Sequence, residues 1–162
     1  YIMTIISAHY DAESIEWRRV IDNSSAELRV DFEYSLLGYN IQAQRLDMLL
    51  RFPPGGHCRR HQHVASTVTL VLAGEQHLAE WQEDGTIKSI VRKKGEYAIS
   101  GSDALIHDEW GGEKGGTVIY SLHAPNNILF RYFDEDMKNP RNLTINEFIE
   151  SWENGSVYGA KS

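Results

Sequence analysis

Short runs of alternating apolar and polar residues dominate the chain. Leu46, Met48, Leu50 and Phe52 fall on every second position, the period of a half-buried β-strand. Val64 to Leu72, Gln76 to Gln82, Ile87 to Arg92, Glu96 to Ser100, Thr117 to His123 and Ile128 to Phe133 are further strand candidates, rich in β-branched and aromatic residues. Turn signals separate them, among them Pro53-Pro54-Gly55-Gly56, Ala73-Gly74, Lys94-Gly95, Ser100-Gly101 and Pro125-Asn126-Asn127. Asp84-Gly85 between two such runs predicts a hairpin. Many strands at this spacing predict an all-β sandwich or barrel. Ile15 to Ile21 and Leu28 to Tyr34 are expected to be extra N-terminal strands that extend one sheet.

Near the end the period changes. Ile145, Phe148, Ile149 and Trp152 recur at i, i+3, i+4 and i+7, the stripe of an amphipathic helix. Thr144 with Glu147 forms a capping box, and Gly155 supplies a stop. A helix near 144–154 is expected to pack this stripe against the barrel wall. The layout is then a single domain: an N-terminal extension over 1–45, a barrel over 46–135, and a C-terminal helix and tail over 136–162.

Composition changes the picture only by exclusion. The chain has 162 residues, 41% of them hydrophobic and 24% charged, the balance of an ordinary globular domain. Its net charge of −7 argues against a nucleic-acid partner, which needs clustered Lys and Arg. The clusters Arg59-Arg60 and Arg92-Lys93-Lys94 are expected in solvated turns. The single cysteine, Cys58, excludes an internal disulfide framework and fits a reducing compartment. Neither a membrane-spanning run nor a signal-peptide pattern is visible, so a cytoplasmic protein without a membrane partner is expected.

Candidate chemistry concentrates in Gly56-His57-Cys58-Arg59-Arg60-His61-Gln62-His63. On a strand, His61 and His63 project to the same face, as two imidazoles must to share one metal. Forty-four residues after His63 comes His107, behind a glycine-bounded strand. A third imidazole from a neighbouring strand completes one face of a coordination sphere and leaves the other open. Thr67 and Thr69 share the parity of the histidine pair and are placed inside the barrel. Glu109 shares the face of His107 if the chain stays extended, and would then be a substitute fourth ligand; a solvated loop acid is the plainer expectation. His123 is a further candidate for the pocket. His57 is expected to be exposed or turn-bonded, His77 to pack or lie at the surface, and Cys58 to be an incidental thiol.

These residues resemble the cupin superfamily. Its first motif runs Gly, His-x-His, an acidic residue, then Gly; its second opens on Gly and ends in His. His61, His63 and His107 match the three histidine ligand positions, with Gly74 closing the first motif and Gly95 opening the second. The resemblance covers about Arg51 to His123 and implies a cupin double-stranded β-helix, a jelly-roll barrel. Two positions depart from the pattern. The acidic ligand position falls on Thr67, and the turn before His107 reads Gly101-Ser102-Asp103 in place of Pro-x-Gly.

With Thr67 there, the expected site has three neutral imidazoles, one divalent metal of undiminished charge, and open positions. That pattern resembles the diketone-cleaving cupin dioxygenases of the acetylacetone and 2,4′-dihydroxyacetophenone type. The resemblance implies Fe(II), with Zn, Ni, Cu and Mn as alternatives, and a small-molecule substrate, a β-diketone or hydroxyketone. The alternatives are a cupin lyase or isomerase using the metal as a Lewis acid, and a non-enzymatic cupin binding a small ligand. By the same parity Val68, Leu70 and Leu72 face outward, an apolar strip that needs a cover; the resemblance favours a homodimer.

Overall fold

The computed structural model describes residues 13–24 and 27–157. His9, the first twelve residues of the expected N-terminal extension and the last five of the tail lie outside them. Ten strands and one helix are present among the described residues: β1 (Arg18–Asp22), β2 (Val30–Asn40), β3 (Arg45–Phe52), β4 (His61–His63), β5 (Ser66–Trp81), β6 (Ile87–Lys93), β7 (Tyr97–Ser100), β8 (His107–His123), β9 (Ile128–Tyr132), β10 (Arg141–Thr144) and α1 (Ile145–Glu153). Among the described residues no helix is long and apolar enough to cross a membrane.

Two long strands organise the barrel. β8 pairs antiparallel with β3 through its second half, with β4 at His107, and with β5 along almost its whole length. β5 carries β6 and β7 on its other edge. The remaining order is β1-β2-β3-β8-β4-β9-β10, so β1 and β2 extend the sheet beyond β3 as the sequence predicts. Two expected runs, Val64 to Leu72 and Gln76 to Gln82, are one strand. Ala73-Gly74 is not a turn but a pair of register shifts against β8. Gly74 takes φ +60° there, and a Cβ on it would lie 2.3 Å from the Gly115 carbonyl oxygen. Only glycine permits so close an approach of two backbones. The shifts also reverse which positions face inward: Thr67, Thr69 and Val71 before them, Gln76 and Leu78 after.

The interior is divided. Phe32, Tyr34, Leu46, Met48, Leu50 and Phe52 fill one side together with inward residues of β8 and β9. The helix closes over this apolar half. Its capping box forms as expected, with Thr144 Oγ1 accepting from Glu147 N and Glu147 Oε2 accepting from Thr144 N. Phe148 and Trp152 meet the Tyr34 ring edge-on at 5.5 and 5.8 Å. The helix has no basic residue in its last turn; Arg18 of β1 supplies one, donating to the carbonyls of Ser151 and Trp152.

The outward strip of β5 is not covered by β1, β2 or α1. Val68 and Leu70 are half-buried, and their neighbours in register, Ile99 and Tyr97, are 66% and 61% exposed.

Phe148 is buried against aromatic partners, whereas Thr144 acts only at the helix end. Phe148→Ala is expected to cost about 3–5 kcal/mol of unfolding free energy and Thr144→Ala about 1 kcal/mol. Urea unfolding followed by tryptophan fluorescence measures both, and equal losses would contradict this account of how the helix is held.

Candidate metal centre

In the polar half of the barrel, four side chains converge. His61 and His107 are direct partners across β4 and β8, and His63 follows two residues on, on the same face. β8 stays extended through His107-Asp108-Glu109, so Glu109 shares that face. One ligand atom from each of His61, His63, His107 and Glu109 lies within 4.8 Å of the others, and all four residues are buried. The expectation that Glu109 is a solvated loop acid is therefore overturned: it is 0% exposed.

The hydrogen bonds at the back of each imidazole fix what its front presents. The Nδ1 of His61 lies 2.7 Å from the Arg59 carbonyl, and that of His107 lies 3.1 Å from the Leu105 carbonyl. A carbonyl only accepts, so each Nδ1 carries the proton. The Nδ1 of His63 lies 3.0 Å from Thr67 Oγ1, whose own proton is donated to the Ala65 carbonyl. His63 must donate as well. Each neutral ring then aims an unprotonated Nε2 inward, and these nitrogens stand 3.1 and 3.2 Å apart. Lone pairs at that distance repel unless a cation lies among them. Ligating histidines are held from behind in the same manner.

Glu109 completes the donor set. Its Oε1 accepts from Gln76 Nε2 at 2.8 Å and from the Tyr120 hydroxyl. Its Oε2 is buried and has no hydrogen-bond partner among the described residues, at 3.4 Å from His61 Nε2 and 3.8 Å from His107 Nε2. A buried carboxylate oxygen left open in this way is costly unless a cation satisfies it. Burial alone would raise the Glu109 carboxyl; what holds it well below the usual carboxylate range is positive charge on its histidine side, which neutral rings do not carry and a bound cation would supply. Burial pushes His63 well down and His107 down, so both rings stay neutral. Burial, with Glu109 beside it, pushes the Tyr120 phenol well up and keeps it a donor. One oxygen and three imidazole nitrogens thus fit a single divalent ion, with an open side for a further ligand.

Other sequence candidates fall differently. Thr67 is not at a ligand position; it stands behind His63 and sets that ring's tautomer. The carboxylate missing from Thr67 comes from Glu109, so the expected charge of three neutral imidazoles alone is corrected. Thr69 is buried and lines a cavity of about 40 Å³ beside His63 and His107. His123 lies exposed at the end of β8, opposite Arg45 and Ser66, and takes no part in the pocket. His57 is half-buried and stacked on Trp110 at 5.0 Å, and is not one of the four clustered residues. His77 sits on the outward face with Glu75, at 2.8 Å. Cys58 is buried, and burial with the nearby Glu109 charge pushes its thiol well up, which leaves it inert.

The two basic clusters are solvated turns only in part: Lys93 and Lys94 are exposed, with Lys94 in the turn after β6, whereas Arg60 and Arg92 are turned into the structure. Arg60 is buried and forms a two-pronged pair with Asp108 at 2.8 and 2.9 Å. Since Arg60 precedes His61 and Asp108 follows His107, the pair clamps the two strands that carry those histidines. Arg92 turns inward to Gln76 Oε1 at 3.0 Å. Gln76 and Arg92 are not legible as site residues, because the register shifts about Gly74 reverse the parity a straight β5 would have; Tyr120 lies on β8, whose buried positions change from His107 and Glu109 to Val118, Tyr120 and Leu122 across its glycines. A larger cleft, about 460 Å³, lies beside Arg59, Arg60 and Arg141. Their charges are already paired with Asp22, Asp108 and Asp134, so we assign the chemistry to the histidine cluster.

The chain has the antiparallel double-stranded β-helix fold of cupins, and two of its strands, β4 and β8, carry the histidines and the carboxylate. Among solved structures it is similar to an acetylacetone dioxygenase from Acinetobacter johnsonii, with 12% identity, 95% of each chain covered and a TM-score of 0.68. An RmlC-like cupin protein from Ralstonia eutropha is similar at 12% identity, over 93% of this chain and 87% of that one, with a TM-score of 0.66. A Klebsiella pneumoniae protein with a double-stranded β-helix domain matches at 17% identity, over 80% of this chain and all of that one, with a TM-score of 0.52. Likeness at such identities establishes the fold. No family model and no curated protein sequence matches the chain.

The depressed imidazoles give a pH dependence to the metal-free protein. His63 and His107 refuse protons in the folded state that they accept when unfolded. Their contribution is fully present above about pH 6.5 and is lost as pH falls below it, on the order of 1 kcal/mol per pH unit for each ring. Urea midpoints of chelator-treated protein should therefore decline from pH 7 to pH 5.5; a flat profile would contradict neutral, buried rings.

Proposed function

We propose that this chain is a metal-dependent enzyme, a non-haem Fe(II) dioxygenase that cleaves a carbon–carbon bond in a β-diketone or hydroxyketone. The observation that carries this reading is the convergence of three imidazole lone pairs and one orphaned carboxylate oxygen beside a polar cavity. Fe(II) bound there supplies Lewis acidity towards a chelating enolate and a redox centre for dioxygen. The protein's own groups do the rest. Arg59, Leu105 and Thr67 hold the rings in one tautomer. Gln76 and Tyr120 occupy one oxygen of Glu109, so that only the other faces the histidines. Phe130 meets His61 and His63 edge-on, which restrains both rings and keeps that side apolar. The likeness to an acetylacetone dioxygenase over nearly the whole of both chains supports the reaction class.

Glu109 favours one second reading. Its negative charge cancels part of a cation's positive charge, which suits a lyase or isomerase using the metal only as a Lewis acid. A cytoplasmic setting belongs to the proposal and is supported by the lone, buried Cys58 thiol. Metal analysis of protein purified without oxygen should find one divalent ion per chain, and His61→Ala, His63→Ala or His107→Ala should lose most of it. With Fe(II) supplied, the parent should consume oxygen on adding pentane-2,4-dione or a hydroxyketone. Metal retention by all three variants sinks the ligand assignment. A loaded parent that consumes no oxygen with any such substrate leaves the Lewis-acid reading in its place.

We also propose a homodimer, supported by the apolar strip of Val68, Leu70, Tyr97 and Ile99 on the outer face. Sedimentation should give twice the chain mass, and Ile99→Asp should shift it towards the monomer; a monomeric parent refutes the dimer.

A further inference from the structure

Arg92 lies in a run of three basic residues, yet its side chain is not spent on solvent. It stands opposite Gln76 across β5 and β6, at an inward position, and is half-buried. Its Nη1 donates to Gln76 Oε1 at 3.0 Å, and the amide nitrogen of the same glutamine donates to Glu109 and to the Tyr120 hydroxyl. The guanidinium is therefore one amide group away from the carboxylate of the candidate metal centre. It lines the same cavity as His63 and His107. Its positive charge acts on His63 and on Tyr120, opposing protonation of the first and favouring ionisation of the second.

A guanidinium has five N–H donors, and Gln76 uses one. Among the described residues no carboxylate lies within ion-pair distance of Arg92, although Glu80 lines the same cavity. A half-buried cation that lines a cavity, has donors to spare and has no carboxylate within ion-pair distance suits an anion that arrives with the ligand. The planar fork matches a carboxylate in a two-pronged pair. The cavity, about 40 Å³, has room for roughly three water-sized groups. That is the size of the carboxylate end of a ligand, and Glu80 on the wall opposes a dianion.

We infer that Arg92 is the specificity-determining anchor for a carboxylate on the substrate, so that the site takes an oxo or hydroxy carboxylic acid in preference to a neutral diketone. This rests on the metal reading above, since the carbonyl end of the substrate is the end directed to His61, His63, His107 and Glu109.

Two probes that differ by the carboxylate test it: 2,4-dioxopentanoate and pentane-2,4-dione. Both present the same chelating 1,3-dicarbonyl. Dissociation constants are measured without oxygen on Fe(II)-loaded protein of known metal content. The parent is expected to bind the acid at least about tenfold more tightly. In Arg92→Ala that ratio should fall by roughly 10–100-fold, the worth of a charged hydrogen-bonded pair. Arg92→Lys, which keeps the charge without the fork, should recover part of it. Equal affinity of loaded parent for the two probes overturns the anchor and leaves the metal reading standing. So does a ratio unchanged in both variants. A parent that takes up no metal overturns both.

Discussion

Burial of the Glu109 carboxylate is the constraint on which the rest of this structure turns. A charge removed from water must be met on both oxygens or it destabilises the fold. One oxygen is met by neutral donors, Gln76 and the Tyr120 hydroxyl. The other faces His61 and His107, where a cation would meet it. To bring those groups together, β8 must stay extended from His107 onward, and β5 must change the face it presents midway along its length. Gly74 and Gly115 make that change possible by letting two backbones approach more closely than any side chain allows.

Outside the ligand atoms lies a layer that decides how they point. Carbonyls behind His61 and His107, and a hydroxyl behind His63, put each ring's proton on the far nitrogen. The Arg60–Asp108 pair joins the strands on the opposite face. Removing one partner of such a buried pair would leave the other charge unmatched, typically about 3–5 kcal/mol. The apolar half of the barrel, capped by α1, supplies the stability that lets the polar half be committed to chemistry. Arg18 shows the same economy: one side chain joins β1 to the end of the helix and stacks on Trp152 at 3.8 Å.

The all-β class, nearly every strand, the capped helix and the three histidines are legible along the chain. Each rests on a local rule: alternation for strands, a 3.6-residue stripe with Thr144 and Glu147 for the helix, and the i, i+2 spacing that puts His61 and His63 on one face. Tertiary structure alone decided the fourth donor, the role of Thr67, and the inward turn of Gln76 and Arg92. Glu109 sits in a stretch rich in acidic residues and glycines that reads as a loop, and only pairing with β5 keeps it extended. Gln76 and Arg92 face inward because two register shifts reverse the parity of β5, and a shift is set by how two distant strands meet. His123, a pocket candidate because it ends a strand of the barrel wall, lies exposed: as the last residue of β8 it falls on the face opposite the buried Tyr120 and Leu122. A one-residue change of register moves a side chain from solvent to core. The information for it lies in the contact between strands and not along either one.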